Sequence, residues 1–187
     1  MALGTPFALS NWCIILMISR QKLSRKLAGL CVEGLVILFV SRKGIVDDLA
    51  SLLNDSGYRC GALHGDLQQG ERERTLSQFK KGAFMVLVAT DVAARGLDIP
   101  DVRSVINYDP ARDVDSHVHR IGRTGRAGVR GDAYTLLTPK DDGFAADMVK
   151  HLEMSGAAVP EDVLHVAMRV RRSLVGWRVA DQWRVES

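Results

Sequence analysis

The 187-residue sequence has little of several features that would each point to a function. Its three cysteines, Cys13, Cys31 and Cys60, lack CxxC spacing, which argues against a disulfide framework or a zinc site and fits an intracellular, reducing compartment. The net charge of +3 is too small for a polybasic coat, so a nucleic-acid site must come from local clusters. The apolar stretch 12–18 is about a third of the length of a bilayer span, so we expect no membrane helix and no signal peptide.

A phosphate-binding loop is also missing from the sequence. No GxxxxGK(S/T) segment occurs, although phosphoryl transfer from ATP needs a cradle of backbone N–H groups and a lysine on the β- and γ-phosphates. We therefore expect this chain to bind ATP poorly and to be inactive as an ATPase by itself.

The apolar pattern predicts a single α/β domain. Short β-rich runs alternate with segments of helical length and periodicity, as in a parallel sheet with both faces covered. The predicted strands are 36–40, 59–63, 85–89, 104–107 and 133–137. We expect an irregular N-terminal extension over 1–19, the domain over 20–168 and a basic tail over 169–187, whose arginines lie among Trp177 and Trp183.

The predicted helices have recognisable N-terminal residues and apolar residues expected to face the core. The start signals are Asp66 with Gln69, and Thr138 with Pro139 and Asp141. The residues expected to face the core are Leu49, Leu52, Leu53, Leu76 and Phe79.

Polar and glycine-rich segments follow the predicted strands. His64-Gly65-Asp66 comes after the second strand, 90–100 follows the third, and 119–128 spans a helix end and the next turn. In open α/β sheets the ligand-binding loops lie beyond the carboxyl ends of the strands. We therefore expect these segments to share one surface.

Segment 119–128 places three arginines about one helical turn apart, with glycines that allow tight turns between them: Arg120, Arg123 and Arg126. A guanidinium is always charged and offers a planar fork of donors, which suits the oxygens of a transferring phosphoryl group. The spacing therefore favours an arginine finger. The alternative is a solvated basic face, or pairing with Asp113 and Asp115.

Four segments together resemble one family. Residues 119–126 resemble the HRxGRxxR motif of superfamily 2 helicases, and 89–100 resemble their ATDVAARGLDIP motif. His64-Gly65-Asp66, with Gln69 and Arg72, resembles HGxxxQxxR, and 38–41 resemble the motif that ends the first core strand. The resemblance extends over 22–168. It is to the C-terminal RecA-like domain of DEAD-box ATP-dependent RNA helicases, most like the helicase 42 subgroup.

The resemblance implies a RecA-like three-layer αβα sandwich and a role for each matched residue in ATP binding and hydrolysis. Arg123 and Arg126 would contact the γ-phosphate, while His119 and Arg120 would organise the contact between domains. The residues implied for the ATP ribose are Gly96 and Asp98. For Asp98 the alternative is a turn cap before Pro100.

The resemblance also implies RNA gripping that does not depend on RNA sequence. The implied RNA-binding residues are Gly65, Arg72, Thr90 and Arg95. For Arg95 the alternative is the interface between the two domains. For Arg72 the alternative is a solvent-facing helix arginine with an acidic partner. The resemblance assigns the Mg²⁺ site and the DEAD stretch to an N-terminal RecA-like domain, which would be the main partner beside RNA and protein cofactors.

Three other interpretations stay open at this point. The chain could be a non-enzymatic module that binds RNA or protein, a DNA-directed superfamily 2 ATPase, or a fragment of a longer helicase. The terminal arginines and tryptophans could add contacts to single-stranded RNA or form a disordered basic tail. The location implied is nuclear or cytoplasmic, with the subgroup resemblance favouring the nucleus.

Overall fold

A computed structural model describes residues 13–15, 20–94, 99, 102–125 and 131–174, with the backbone alone for 13–15, 20–26 and 169–174. Strands and helices alternate along the chain. The elements are β1 (Cys13–Ile15), α1 (Arg20–Glu33), β2 (Val36–Phe39), α2 (Lys43–Asp55), β3 (Cys60–Leu63), α3 (Gln69–Lys80), β4 (Val86–Ala89), α4 (Asp91–Ala94), β5 (Ser104–Asn107), α5 (Val114–Ile121), β6 (Asp132–Thr135), α6 (Asp142–Met154) and α7 (Glu161–Leu174). None of the helices in these ranges is long and apolar enough to span a bilayer.

The strands form one six-stranded sheet in the order β1-β6-β5-β2-β4-β3. All of the described pairings are parallel. Five strands lie where the sequence predicts them, with ends that differ by at most two residues. The sixth, β1, lies inside the segment predicted to be irregular and pairs with β6.

Both faces of the sheet are covered, as predicted for a parallel sheet. Alternate residues of β2 enter different apolar clusters: Val36 and Leu38 pack with α1 and α2 on one face, and Ile37 and Phe39 pack with α3, α4 and α5 on the other. A third cluster joins α6 and α7. The RecA-like αβα sandwich is therefore confirmed.

Two details of the predicted helices are wrong. Leu52 is 61% exposed, because the inward stripe of α2 runs through Val46, Leu49 and Leu53. Helix α3 begins at Gln69 after Gln68, whose N–H donates to the carboxylate of Glu71 at 3.0 Å, so Asp66 is not its cap.

The remaining helical features are close to expectation. Helix α6 begins at Asp142, and the carboxylate of Asp141 accepts hydrogen bonds from the N–H and hydroxyl of Thr138 at 2.7 and 2.6 Å. Helix α7 continues to Leu174, past the predicted domain end at 168. The domain boundaries themselves stay predictions.

The order of the strands creates a crevice at one edge of the sheet. Strand β2 lies between β4 and β5, and the helices that follow β2 and β5 cover opposite faces. Loops that leave in opposite directions open a gap between them, the usual ligand position in such sheets. Across this gap the N–H of Ser41 donates to the carboxylate of Asp109 at 3.0 Å.

Candidate functional site

The predicted strand-end segments meet at this edge. The N–H of Thr90, after β4, donates to the carbonyl of Leu63, the last residue of β3, at 3.0 Å. A guanidinium nitrogen of Arg72 donates to the carbonyl of Ala93 at 2.9 Å and so ties α3 to α4. Helix α5 is joined to α4 by the ion pair between Arg120 and Asp91. The described parts of the three segments therefore lie next to one another at this edge of the sheet.

Helix α5 is positioned by its N-terminal cap. The carboxylate of Asp113 accepts the N–H of Ser116 at 2.7 Å, and its other oxygen accepts Arg112 at 2.9 Å. Hydrogen bonds from Ser116 and Arg112 lower the pKa of Asp113 to about 2, so the cap stays ionised at neutral pH. The cap sets where α5 begins and hence where its last turn, with His119 and Arg120, lies.

Arg120 is turned into its own domain. Its side chain is 2% exposed, and Nε and an Nη donate to the two carboxylate oxygens of Asp91 at 2.7 and 2.6 Å. The other Nη donates to the carbonyl of Asp109 at 2.8 Å, and the guanidinium lies 5.3 Å from the ring centroid of Phe39. The predicted role of Arg120 in organising the contact between domains can therefore only be indirect.

A buried polar chain continues from Arg120 through β5 and β6. Asn107 accepts from Arg120 at 3.3 Å and donates to the hydroxyl of Thr135 at 2.9 Å, and that hydroxyl lies 2.8 Å from His117 Nε2. The pKa of His117 is lowered to about 4, mainly by burial and further by the charges of Arg120 and His151. His117 is therefore neutral at physiological pH.

Arg123 has the opposite environment from Arg120. It lies in the turn after α5, half-buried, and in the described part of the chain its guanidinium has no hydrogen bond or ion pair. His119 is exposed. The alternative, in which Arg120 or Arg123 pairs with Asp113 or Asp115, is not found among the described residues: Arg120 pairs with Asp91.

The RNA-site candidates among the described residues differ in burial and in the hydrogen bonds that they already make within the domain. Gly65 is exposed, and a Cβ there would meet nothing within 4 Å. Thr90 is 7% exposed and its hydroxyl accepts the N–H of Ala93 at 3.4 Å. Arg72 is half-buried and bonded to Ala93 and, at 3.3 Å, to Gln69, rather than to an acidic residue.

The remaining predicted site residues, Arg95, Gly96, Asp98 and Arg126, lie outside the described residues. In turn, the sequence analysis missed residues that build the site: Asp91, Asn107, His117, Thr124 and Thr135. Asp91 and Thr124 lie within the recognised motifs but were given no role, and nothing local marks the other three. In the described residues no group of three or more His, Cys, Asp or Glu side chains could hold a metal ion.

Comparisons of sequence agree with the motifs. The family of the helicase conserved C-terminal domain matches residues 22–128. Mouse ATP-dependent RNA helicase DDX42 is 55% identical over 147 residues, which are 79% of this chain and 16% of that protein. DEAD-box ATP-dependent RNA helicase 24 of Arabidopsis thaliana is 49% identical over 148 residues, which are 79% of this chain and 20% of that protein. The chain thus spans a small part of the length of these relatives.

Solved structures give the same assignment. The C-terminal domain of the DEAD-box protein Dbp5 is 32% identical with a TM-score of 0.67, and the match covers 89% of this chain and 98% of that one. The E. coli DEAD-box protein SrmB, solved bound to regulator of ribonuclease activity A, is 34% identical with a TM-score of 0.65, covering 79% and 86%. The chain therefore belongs to the helicase conserved C-terminal domain family, as a DEAD-box member similar to DDX42.

Proposed function

We propose that this chain forms one wall of a cleft that binds ATP and RNA, the other wall being a DEAD-box N-terminal RecA-like domain. Closure of the cleft brings Arg123 and Arg126 onto the γ-phosphate of ATP held by the partner domain, where they stabilise the charge of the transition state. Hydrolysis and phosphate release then reopen the cleft, and each cycle unpairs RNA locally.

The contrast between two neighbouring arginines carries this proposal. Arg120 has all of its guanidinium nitrogens bonded within the domain, whereas Arg123, one turn later, is a half-buried residue whose guanidinium has no partner among the described residues. A guanidinium without a partner, on a turn held by the domain, is well suited to an incoming phosphate, because no internal hydrogen bond has to break before it binds.

The RNA site is proposed on the same edge of the sheet. Gly65 leaves open space where RNA backbone can approach, and Arg72 and Thr90 supply a charge and a hydroxyl beside it. Arg95 follows α4 and would extend this contact. Contacts of this kind are made to phosphates, so they predict RNA binding with little sequence preference.

The chain is proposed to act on ATP only together with its partner domain. By family resemblance Gly96 and Asp98 would hold the ATP ribose. Mg²⁺, which neutralises charge on the phosphates when bound, would be held by the partner domain. The described residues offer an arginine for the phosphate, Arg123, which agrees with this division.

The test is RNA-stimulated ATP hydrolysis by the 187-residue chain, alone and mixed with the N-terminal RecA-like domain of a DEAD-box relative. We expect no activity from the chain alone and increased turnover in the mixture. Arg123→Ala should lose most of the gain, because removal of an arginine finger typically costs ~10³-fold or more in turnover.

A matched control is Arg59→Ala. Arg59 is an exposed arginine that precedes β3 and so lies at the amino edge of the sheet, opposite the proposed cleft. Its loss should leave the gain unchanged. Robust hydrolysis by the chain alone would contradict the proposal, and silence of the mixture with RNA binding retained would favour a binding module.

A further inference from the structure

We propose that Thr124 is a positioning residue for the arginine finger. Its hydroxyl bonds the turn that contains Arg123 to the chain segment that leads into β5, and we call this set of hydrogen bonds the clasp. This inference rests on the proposed function, since it concerns how the finger is held. The clasp sets the distance between the γ-phosphate end and the ribose end of the ATP site.

The clasp consists of hydrogen bonds between two short segments, 123–124 and 102–103. The hydroxyl of Thr124 is shared between the carbonyls of Val102 at 2.6 Å and Arg103 at 2.9 Å. In return the N–H of Val102 donates to the carbonyl of Arg123 at 3.0 Å. Thr124 is 5% exposed, so water does not compete well for these bonds.

Gly131 closes the clasp from the other side. A Cβ added to this buried residue would overlap the Thr124 hydroxyl and the backbone nitrogen of Gly125, and would lie 2.9 Å from Thr124 Cβ. Gly125 itself has a φ of +70°, which favours glycine and turns the chain sharply after Thr124. The two glycines therefore let the backbone pack directly against the clasp.

The segment held by the clasp follows the proposed ribose-binding residues in the sequence. Asp98 is followed by Ile99, and both Ile99 and Val102 are 4% exposed in the same apolar cluster as Ile121, the last residue of α5. Apolar packing presses the two segments together, but it does not fix their register. The Thr124 hydroxyl supplies the directional bonds that do so.

The experiment compares Thr124→Val with Thr124→Ser in the two-domain ATPase mixture. Valine keeps the shape and removes the donor, which leaves the Val102 carbonyl without its hydroxyl partner, whereas serine keeps the hydroxyl. We expect Thr124→Val to lower kcat by about 10²-fold, the cost of misplacing a catalytic group by about 1 Å, with a much smaller change in KM for ATP. Thr124→Ser should stay close to wild type.

A second measurement does not depend on activity. Amide hydrogen exchange at Val102 reports the bond to the Arg123 carbonyl, and Thr124→Val should speed it about 10-fold while Thr124→Ser should not. Thr138→Val is the matched control, because it also removes a bonded hydroxyl, one that lies in the exposed turn before α6. It should change neither readout.

The outcomes separate the clasp from the finger. Unchanged kcat in Thr124→Val overturns the positioning role, whether or not exchange at Val102 is faster. Equal losses in the valine and serine variants overturn the role of the hydroxyl. If Arg123→Ala leaves turnover in the mixture unchanged, the finger proposal fails, and exchange at Val102 still decides whether the clasp exists.

Discussion

Replacement of Asp91 by alanine should destabilise this domain strongly. Its partner Arg120 is 2% exposed, while the Asp91 side chain is 31% exposed, so removal of the carboxylate leaves a guanidinium charge buried and without its bidentate partner. Breaking a buried pair in this way typically costs ~3–5 kcal/mol of unfolding free energy. Against a usual total of ~5–15 kcal/mol, such a loss brings the domain close to unfolding.

Burial rather than contact distance decides this magnitude. The exposed pair between Lys43 and Asp66 is nearly as short, at 2.8 Å against 2.6 Å for Arg120 and Asp91, but its side chains are 65% and 60% exposed. Solvent and salt screen such a pair, so Asp66→Ala should leave the unfolding free energy essentially unchanged.

The assay is urea unfolding followed by circular dichroism, for wild type, Asp91→Ala, Arg120→Met and the double variant. Methionine removes the buried charge and fills part of its space, so the double variant should be more stable than Asp91→Ala alone. A loss below about 1 kcal/mol in Asp91→Ala, or full additivity of the two changes, would refute the idea that a buried unpaired charge dominates.

Three further predictions concern pH, packing and RNA. The pKa of His117 is about 4 when folded and near 6.5 when unfolded, so the unfolded state binds more protons between these values. The unfolding free energy should therefore fall by up to ~1.4 kcal/mol per pH unit as the pH drops from 6.5 to 4. Urea unfolding at pH 7 and pH 5 checks this, and an equal fall with pH in His117→Gln would contradict it. Gly61→Ala should lower the melting temperature, because its Cβ would overlap the ring of Phe84 and overpacking costs ~1–3 kcal/mol. Gly29→Ala should raise the melting temperature, because Gly29 lies in open space on α1 and alanine favours the helix; calorimetry measures both shifts. Arg72→Gln should weaken binding to all RNA sequences alike and make the slope of log affinity against log salt shallower by up to ~0.7, and an unchanged slope would count against a phosphate contact.

The sheet could be predicted because its strands are short apolar runs buried on both faces. All four residues of β2, β4 and β5 are buried, and no competing helical period runs through them. The edge strand β1 has only three residues, and the apolar stretch 12–18 that contains it has no clear period to mark it as a strand. The other edge strand, β3, could be predicted because segments of helical periodicity, now α2 and α3, flank it.

Side-chain direction was harder to predict than element type. Leu52 and Leu53 are adjacent on α2 and therefore point about 100° apart around the helix axis. The buried face of α2 is formed by Val46, Leu49, Ala50 and Leu53, which leaves Leu52 outside it. The direction of Arg120 depends on Asp91, 29 residues earlier in the chain. The motif identified both segments, but only the fold shows that they bind each other.

Arg123 is proposed to stabilise the transition state of ATP hydrolysis. The most direct measurement is the affinity with which the two domains and RNA assemble on ADP with aluminium fluoride, a transition-state mimic, and on a non-hydrolysable ATP analogue. We expect Arg123→Ala to weaken assembly on the transition-state mimic by up to ~10³-fold and on the ATP analogue by much less. Equal losses on both, or no loss on either, would show that Arg123 does not act on the transition state.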